Sequence, residues 1–429
     1  MSAQHPILIA IVGGGIAGMS LARIIAQEVH ATSSSSGSCY PFSITIFDRD
    51  LSPSDPVQRP QGGQLDLHAD SGQLAIKAAG IWDCFTREAH YDAQGWRVDD
   101  CNGQMAAQVT EEEGKARDKP EIGRGHLRRL LTQDVETVDN VQVRWGQKVV
   151  NIVSHAAGFQ IVVGGHEETP DSKVLFDLVV GADGTWSRTR ELVSAPDPVY
   201  SGMTIVETNI SPATESQQTS AMVGKGSYMA VAFNKALMAQ RNTDGGIRVY
   251  IALTVPETWA TASGLDWSDP TITKETILNR FFTQWSDSVK NVVRDSKSSE
   301  MRLWPLYDTL KPAEGGRWRT NLGATLLGDA AHVMPPWTGR GANMAMLDAL
   351  GLGKKMGQAL SGAEEFDVQQ GKAEVLESLR KSMREYEETM WLRMEKEKDE
   401  NRQSHHLLFG EDSPKSFHDM MKQQALPQA

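Results

Sequence analysis

The residues best placed to do chemistry in this chain are glycines. In "IAIVGGGIAGMSLA", Gly13, Gly15 and Gly18 stand at Gly-x-Gly-x-x-Gly spacing. Gly13 allows a tight turn, Gly15 lets the backbone approach a pyrophosphate, and Gly18 lets a helix pack closely on the preceding strand. Far along the chain, "LLGDAAHVMPPWTGRGANMAMLDAL" places Gly339 and Gly341 before a run of helix formers, and Asp329 after a strand. Helix N-termini gather unpaired N–H groups and a partial positive charge, so both places suit an anion. Between them, "LFDLVVGADGTWSRTRELV" reads as a buried strand from Phe176 to Val180. It ends in an Asp-Gly turn braced by Asp183, with Ser187 and Arg190 on the helix that follows.

The elements that must position these residues can be read from periodicity. Ile7–Val12 is an apolar strand, and Ala17, Leu21, Ala22 and Ile25 recur at helical spacing behind it. A second strand, "SITIFDRD", ends in Asp48, an acid placed to hold ribose hydroxyls. The Ser-rich segment 32–38 between helix and strand reads as a surface insertion. Later, "MTIVETNIS", "SYMAVAFN" and "IRVYIALTVP" alternate as strands, an antiparallel sheet forming a second domain. Its candidate pocket residues are Glu207, Met222, Met229, Phe233, Arg248 and Tyr250, with Trp337 packed beside a substrate ring. From Ala373, Leu376, Leu379, Met383, Tyr386 and Met390 mark a long amphipathic helix. After Asn401 the chain turns polar and is expected to end in a frayed tail. His332 reads as a packed loop histidine rather than a base.

Totals bound the possibilities. At 429 residues the chain exceeds one ordinary compact core. A net charge of −12 argues against a nucleic-acid surface. Cys39, Cys84 and Cys101 give neither a disulfide framework nor a Cys-x-x-Cys pair, so free thiols in a reducing, cytoplasmic setting are expected. No basic segment precedes Ile7, so that strand is not a signal peptide, and no apolar run reaches the length of a membrane span. No metal-ligand cluster and no Ser/His/Asp arrangement stands out. There is no second Gly-x-Gly-x-x-Gly for a dedicated nicotinamide domain.

Two anion cradles in one chain can serve one long ligand. The first holds the pyrophosphate, and the second holds a ring-bearing end. FAD is the common dinucleotide with a large polar ring to place. A flavin that becomes anionic on reduction would gain from the positive helix end beyond Gly341.

The ordered set "GxGxxG", "GADGxxSxxR" and "GDAAHxMPPxxGxGAN" resembles the single-component FAD-dependent aromatic monooxygenases related to para-hydroxybenzoate hydroxylase. Two further stretches, "RPQGGQLDLHADSGQLAIKAAGI" and "EIGRGHLRRLL", are similar to the tetracycline-inactivating flavin monooxygenases. The likeness covers the FAD domain and fades between Ser201 and Arg317. It implies an α/β fold: a Rossmann-like FAD-binding domain, an inserted antiparallel-sheet substrate domain and a long C-terminal helix. The implied boundaries are FAD-binding parts at 1–75, 118–198 and 317–370, substrate-domain parts at 76–117 and 199–316, and a bridging helix with tail at 371–429.

The resemblance also implies roles. Asp48, with Arg49 beside it, would bind the adenosine ribose. Arg59 would meet NADPH, and Asp66 would tune the reacting edge of the flavin. Arg124 would contact the FAD ribityl or phosphate region, Asp329 the ribityl and pyrophosphate groups, and Gly341, Ala342 and Asn343 the pyrimidine end, with Asp183 also counted among the cofactor-binding residues. Arg340 stands where relatives often carry Gln; it would steer an anionic substrate or point to solvent. The implied activity is NADPH-dependent insertion of one oxygen atom from O2, through a flavin C4a-hydroperoxide, into a multi-ring, phenolic or indolic small molecule. No side chain is an obligatory acid or base. Secondary metabolism or xenobiotic modification is the implied setting, with a monomer expected and a homodimer as the alternative. Two other readings stand beside it: an FAD dehydrogenase or oxidase without oxygen insertion, and a non-catalytic flavin-binding protein.

Overall fold

A computed structural model describes residues 5–36, 39–55, 62–91, 95–110, 119–164, 174–296, 300–318, 323–361 and 368–425. In chain order the strands are β1 (Ile7–Val12), β2 (Phe42–Phe47), β3 (Gln64–Asp66), β4 (Trp96–Asp99), β5 (Met105–Val109), β6 (Glu121–Gly123), β7 (Val141–Arg144) and β8 (Val149–His155). They continue with β9 (Gly158–Val163), β10 (Leu175–Phe176), β11 (Leu178–Gly181), β12 (Val199–Ile210), β13 (Ser227–Ala232), β14 (Lys235–Arg241), β15 (Ile247–Thr254), β16 (Arg302–Asp308) and β17 (Ala324–Leu326). Five helices bear on the site: α1 (Ile16–Ser36), α2 (Arg124–Val135), α3 (Gly341–Ser361), α4 (Val368–Phe409) and α5 (Lys415–Ala425).

A parallel sheet of order β17-β11-β1-β2-β7 forms the Rossmann-like core. Its central strands are rich in Ile and Val because both faces are covered: Ile9, Ile11, Ile44, Ile46, Val179 and Val180 are all fully buried. β1 runs into α1 through the glycine loop. A Cβ on Gly13, whose φ is +108°, would lie 2.2 Å from the Ala182 carbonyl oxygen, and one on Gly18 would lie 2.0 Å from the Gly13 carbonyl oxygen. Only glycine lets β1, β11 and α1 meet this closely. Asp177 separates β10 from β11, so the expected single strand from Phe176 to Val180 is two strands in two sheets. The Asp177 carboxylate accepts from Leu8 N–H at 2.8 Å and pairs with Lys372 at 3.0 Å, which pins the crossover.

The second sheet has seven strands in the order β16-β12-β15-β14-β13-β4-β5. It is antiparallel except where β4 runs parallel to β13. Sequence periodicity finds β12, β13 and β15 but passes over β14, "KALMAQR", whose polar ends mask its alternation. One face packs on helices: Val206, Val249 and Ile251 meet Ile277, Phe282 and Val289. The other face carries Met203, Ile205, Met238 and Tyr250, alternating along the same strands as pleating requires.

Two local expectations change. The Ser-rich segment, expected as a surface insertion between helix and strand, is part of the helix as far as Ser36, as serine is tolerated in a helix already nucleated upstream; 37 and 38 lie outside the described residues. The chain after Asn401, expected as a frayed tail, is helical through most of residues 402–425, and 426–429 lie outside the described residues. α4 runs on to Phe409, and α5 folds back so that Phe417 meets Trp96 edge-on at 5.8 Å. Leu379, Met383, Tyr386 and Met390 are buried against the FAD-side core, as the helical spacing requires.

Candidate active site

The first corner of the site is the loop at Gly13–Gly15. Asp48, at the end of β2, is buried, and its Oδ2 accepts from Gly14 N–H at 2.6 Å. Arg128 from α2 pairs with Asp48 at 3.0 Å, donates to the Gly14 carbonyl at 2.8 Å and reaches Asp50 at 3.0 Å. The acid therefore ties β2 to the glycine loop, and Arg128 neutralises it. Sequence reasoning passed over Arg128, although it lies in the quoted "GRGHLRRLL". Arg49 points outward, with its side chain 76% exposed, beside the cleft described below.

The second corner joins the Asp-Gly and Gly-Asp motifs. Asp183 accepts from Arg188 N–H at 2.8 Å through Oδ2, while its buried Oδ1 has no partner. Asp329 begins a short helix with its carboxylate exposed to the cleft. Ideal Cβ atoms built on Gly15, Gly184 and Gly341 meet nothing within 4 Å. Three backbone segments thus open onto the same empty space.

Asn343 behaves differently from expectation. Its carboxamide is buried and turned away from the cleft: Oδ1 accepts from His68 N–H at 2.9 Å and Gly72 N–H at 3.2 Å, and Nδ2 donates to the Asp66 carbonyl at 2.8 Å. An amide can accept and donate at once, so it clamps the 66–72 segment onto α3. That clamp positions Asp66, whose Oδ2 lies 3.1 Å from His68 Nε2.

Three connected spaces follow. A cleft of about 1150 Å³ is lined by Arg49, Arg124, Asp183, Arg248 and Asp329 among others. A chamber of about 480 Å³ is lined by Gly15, Asp66, Arg124, Asp329, Gly341 and Ala342 and roofed by Ile205, Met238 and Tyr250. A further cavity of about 400 Å³ shares Asp66, Met238, Gln240, Tyr250, Trp337 and Gly339 with that chamber. Its remaining walls include Trp96, Glu121, Met229 and Phe417.

The candidate substrate residues divide accordingly. Trp337 lines both the chamber and the cavity, wedged against Phe409 at 4.7 Å. Arg248 lines the cleft, but its Nη1 is held by Glu207 at 2.7 Å, and Trp304 Nε1 donates to the same carboxylate at 3.0 Å. Glu207 is therefore a buried brace satisfied by two donors. Met222 packs on the helical face of the sheet, away from the chamber. Phe233 occupies the β13–β14 turn and is 49% exposed; being apolar suggested a pocket, but the turn sets its direction. Arg340 pairs with Glu397 at 3.2 Å and Asp70 at 3.5 Å, so it joins α4 to the loop rather than facing a substrate. His332 is packed, 2.5 Å from the buried Asp348, which Arg393 also pairs. Arg59 lies outside the described residues.

Glu121 is the residue most clearly missed. It stands opposite Asp66 on the β3–β6 ladder. Burial first, and the Asp66 carboxylate second, push its carboxyl up to about 8. Its signal was only an acid in a short apolar stretch. Among the described residues no group of His, Cys, Asp and Glu could hold a metal ion, and no helix is long and apolar enough to cross a membrane.

This geometry fits FAD. The open glycine backbones can approach a pyrophosphate, the exposed Asp329 carboxylate can accept from hydroxyls, and α3 points its N-terminus into the chamber. The family model described as FAD binding domain matches residues 7–370. The monooxygenase penA of Penicillium thymicola is 31% identical over 81% of this chain and 84% of its own length. The monooxygenase asqM of Emericella nidulans is 29% identical over 83% and 85%. The crystal structure of Klebsiella pneumoniae HpxO, complexed with FAD and uric acid, shares the fold at 17% identity, with a TM-score of 0.67 over 98% of this chain and 94% of that one. The match across both cradles and the likeness to whole relatives lead to one conclusion: this chain belongs to the FAD binding domain family and is an FAD-dependent monooxygenase.

Proposed function

We propose that this enzyme uses NADPH and O2 to insert one oxygen atom into an uncharged aromatic or multi-ring small molecule in fungal-type secondary metabolism. The observation that carries this reading is a second cavity of about 400 Å³, lined by aromatic and apolar side chains, sharing a wall with the flavin chamber. A dehydrogenase needs only one exposed flavin face. A monooxygenase needs its substrate held beside the ring with water kept out.

When bound, FAD supplies the redox chemistry, taking reducing equivalents from NADPH and activating O2. The protein's share is positional. Gly15, Asp329 and the α3 N-terminus would hold the phosphates and ribityl chain. Asp66 would sit at the ring edge, kept there by Asn343. Met238, Tyr250 and Trp337 would pack an aromatic substrate and exclude water. Arg49 and Arg124, exposed along the wide cleft, would meet the anionic nicotinamide cofactor from the side away from the substrate. HpxO's complex with uric acid supports a nitrogen-bearing, carbonyl-rich aromatic as one substrate type. A cytoplasmic monomer is the proposed working form.

The test is NADPH oxidation by the purified yellow protein with a panel of phenols, indoles and aromatic ketones, with product mass recorded. Stimulation by one compound with a gain of one oxygen atom supports the reading. Oxidation of a panel compound without oxygen gain would replace it with a dehydrogenase.

A further inference from the structure

The cavity beside the flavin chamber holds one acid that nothing in the protein satisfies. Glu121 is 8% exposed, it lines the cavity, and its carboxyl has no hydrogen-bond partner among the described residues. Its backbone is fixed on both sides. It pairs with Asp66 across the β3–β6 ladder, and exchanges hydrogen bonds of 2.7 and 2.9 Å with His90. The strand pairing fixes where the side chain leaves the backbone, on the wall of the cavity.

We propose that Glu121 is a substrate-recognition residue, its carboxyl donating a hydrogen bond to a carbonyl oxygen of an uncharged aromatic substrate. The proposal rests on reading this cavity as the substrate chamber. The carboxyl reaches the cavity and takes no acceptor from the protein, so a ligand carbonyl that displaces water there gains a hydrogen bond worth roughly 0.5–1.5 kcal/mol. Burial and the Asp66 carboxylate raise the Glu121 carboxyl to about 8, so it carries its proton at neutral pH. The other polar residues lining the cavity are Asp66, Lys119, Ser227, Tyr228, Gln240, Tyr250 and Thr338, with the Tyr228 hydroxyl already donating to Asp99 at 3.2 Å. The Tyr250 hydroxyl is held above its ordinary range by burial and is therefore a second neutral donor. Above pH 8 Glu121 becomes an acceptor and should reject the carbonyl it favours below.

Two measurements on the oxidised, FAD-loaded full chain test this without NADPH, so they stand or fall apart from the monooxygenase reading. Infrared difference spectra of parent against Glu121→Gln should show a protonated carboxyl band at pH 6.5 that fades as pH rises through about 8. Titration of 1-tetralone and of tetralin, followed by the flavin spectrum, should show the ketone binding about tenfold more tightly at pH 6.5. Glu121→Gln, still a donor, should keep that preference at pH 9.5, where the parent loses it. Glu121→Leu should lose it at every pH while retaining FAD. No protonated carboxyl assignable to Glu121, or equal affinity for the two probes including binding of neither, overturns the proposal.

Discussion

Arg190 and Asp329 lie far apart in sequence, yet the Arg190 guanidinium donates to the Asp329 carbonyl at 3.3 Å. The same group donates to the Ala330 carbonyl at 2.7 Å and to the Thr185 carbonyl at 2.6 Å. One buried side chain therefore holds the Asp-Gly turn against the Gly-Asp turn. The relation between the Asp-Gly and Gly-Asp turns is held by that guanidinium as well as by the motifs themselves.

Arg190→Ala should loosen both turns together. Hydrogen bonds from a charged donor are worth about 1.5–3 kcal/mol each, and one buried and two part-buried carbonyls lose theirs. We expect a stability loss on the order of 3–5 kcal/mol by denaturant titration, with FAD dissociating well before the chain unfolds. Retention of FAD at parental affinity would show that the motifs hold each other without Arg190.

Gly15→Ala separates folding from cofactor binding. An added Cβ meets no protein atom within 4 Å. Stability of the FAD-free protein should change by no more than about 0.5 kcal/mol. The methyl enters the space into which the pyrophosphate must come, so FAD affinity should fall by at least about tenfold, or about 1.4 kcal/mol. Equilibrium dialysis against FAD measures it.

Stability should fall with pH because of Glu121. Its folded-state carboxyl is raised to about 8 from an ordinary value of 4.5. Between those values the folded chain binds a proton that the unfolded chain has released. The contribution is complete below 4.5, declines by up to about 1.4 kcal/mol per pH unit, and is lost once pH passes 8. Glu121→Gln should remove that slope, so its advantage over the parent grows from pH 5 to pH 8 and then levels off. Parallel denaturation curves at all pH values would refute the assignment.

Phe417→Ala should open the substrate cavity and spare the flavin chamber, since Phe417 lines only the former. Loss of an aromatic wall and its edge contact with Trp96 is worth roughly 1–2 kcal/mol of ligand affinity. Binding of 1-tetralone should weaken about tenfold while FAD affinity stays within twofold. A matching loss of FAD would mean that α5 supports the whole domain.

What could be read in the residues was local. Gly13, Gly15, Gly18, Gly339 and Gly341 announce their turns through spacing alone, because the backbone near them has few options. Asn343 lies inside a legible motif, but its partners His68 and Gly72 are brought to it only by the fold. Arg128 and Arg190 look like surface cations until their carbonyl and carboxylate partners arrive from other elements. Phe233 was misjudged because hydrophobicity says nothing about direction in a tight turn, where Asn234 already takes a positive φ of 62°. Glu121 escaped notice because its environment comes from Asp66, opposite it on a ladder that only folding creates.

The substrate cavity draws its walls from Asp66, Glu121, Tyr250, Trp337 and Phe417, spread along almost the whole described chain. A ribosome that has emitted both glycine cradles has built a place for FAD but not yet the cavity beside it. Until Phe417 emerges and α5 docks, a nascent chain that captured FAD would hold it next to an unfinished wall. Oxygen chemistry at that stage would spill peroxide instead of product. The last wall of this cavity to be synthesised thus comes after both glycine turns, at Phe417.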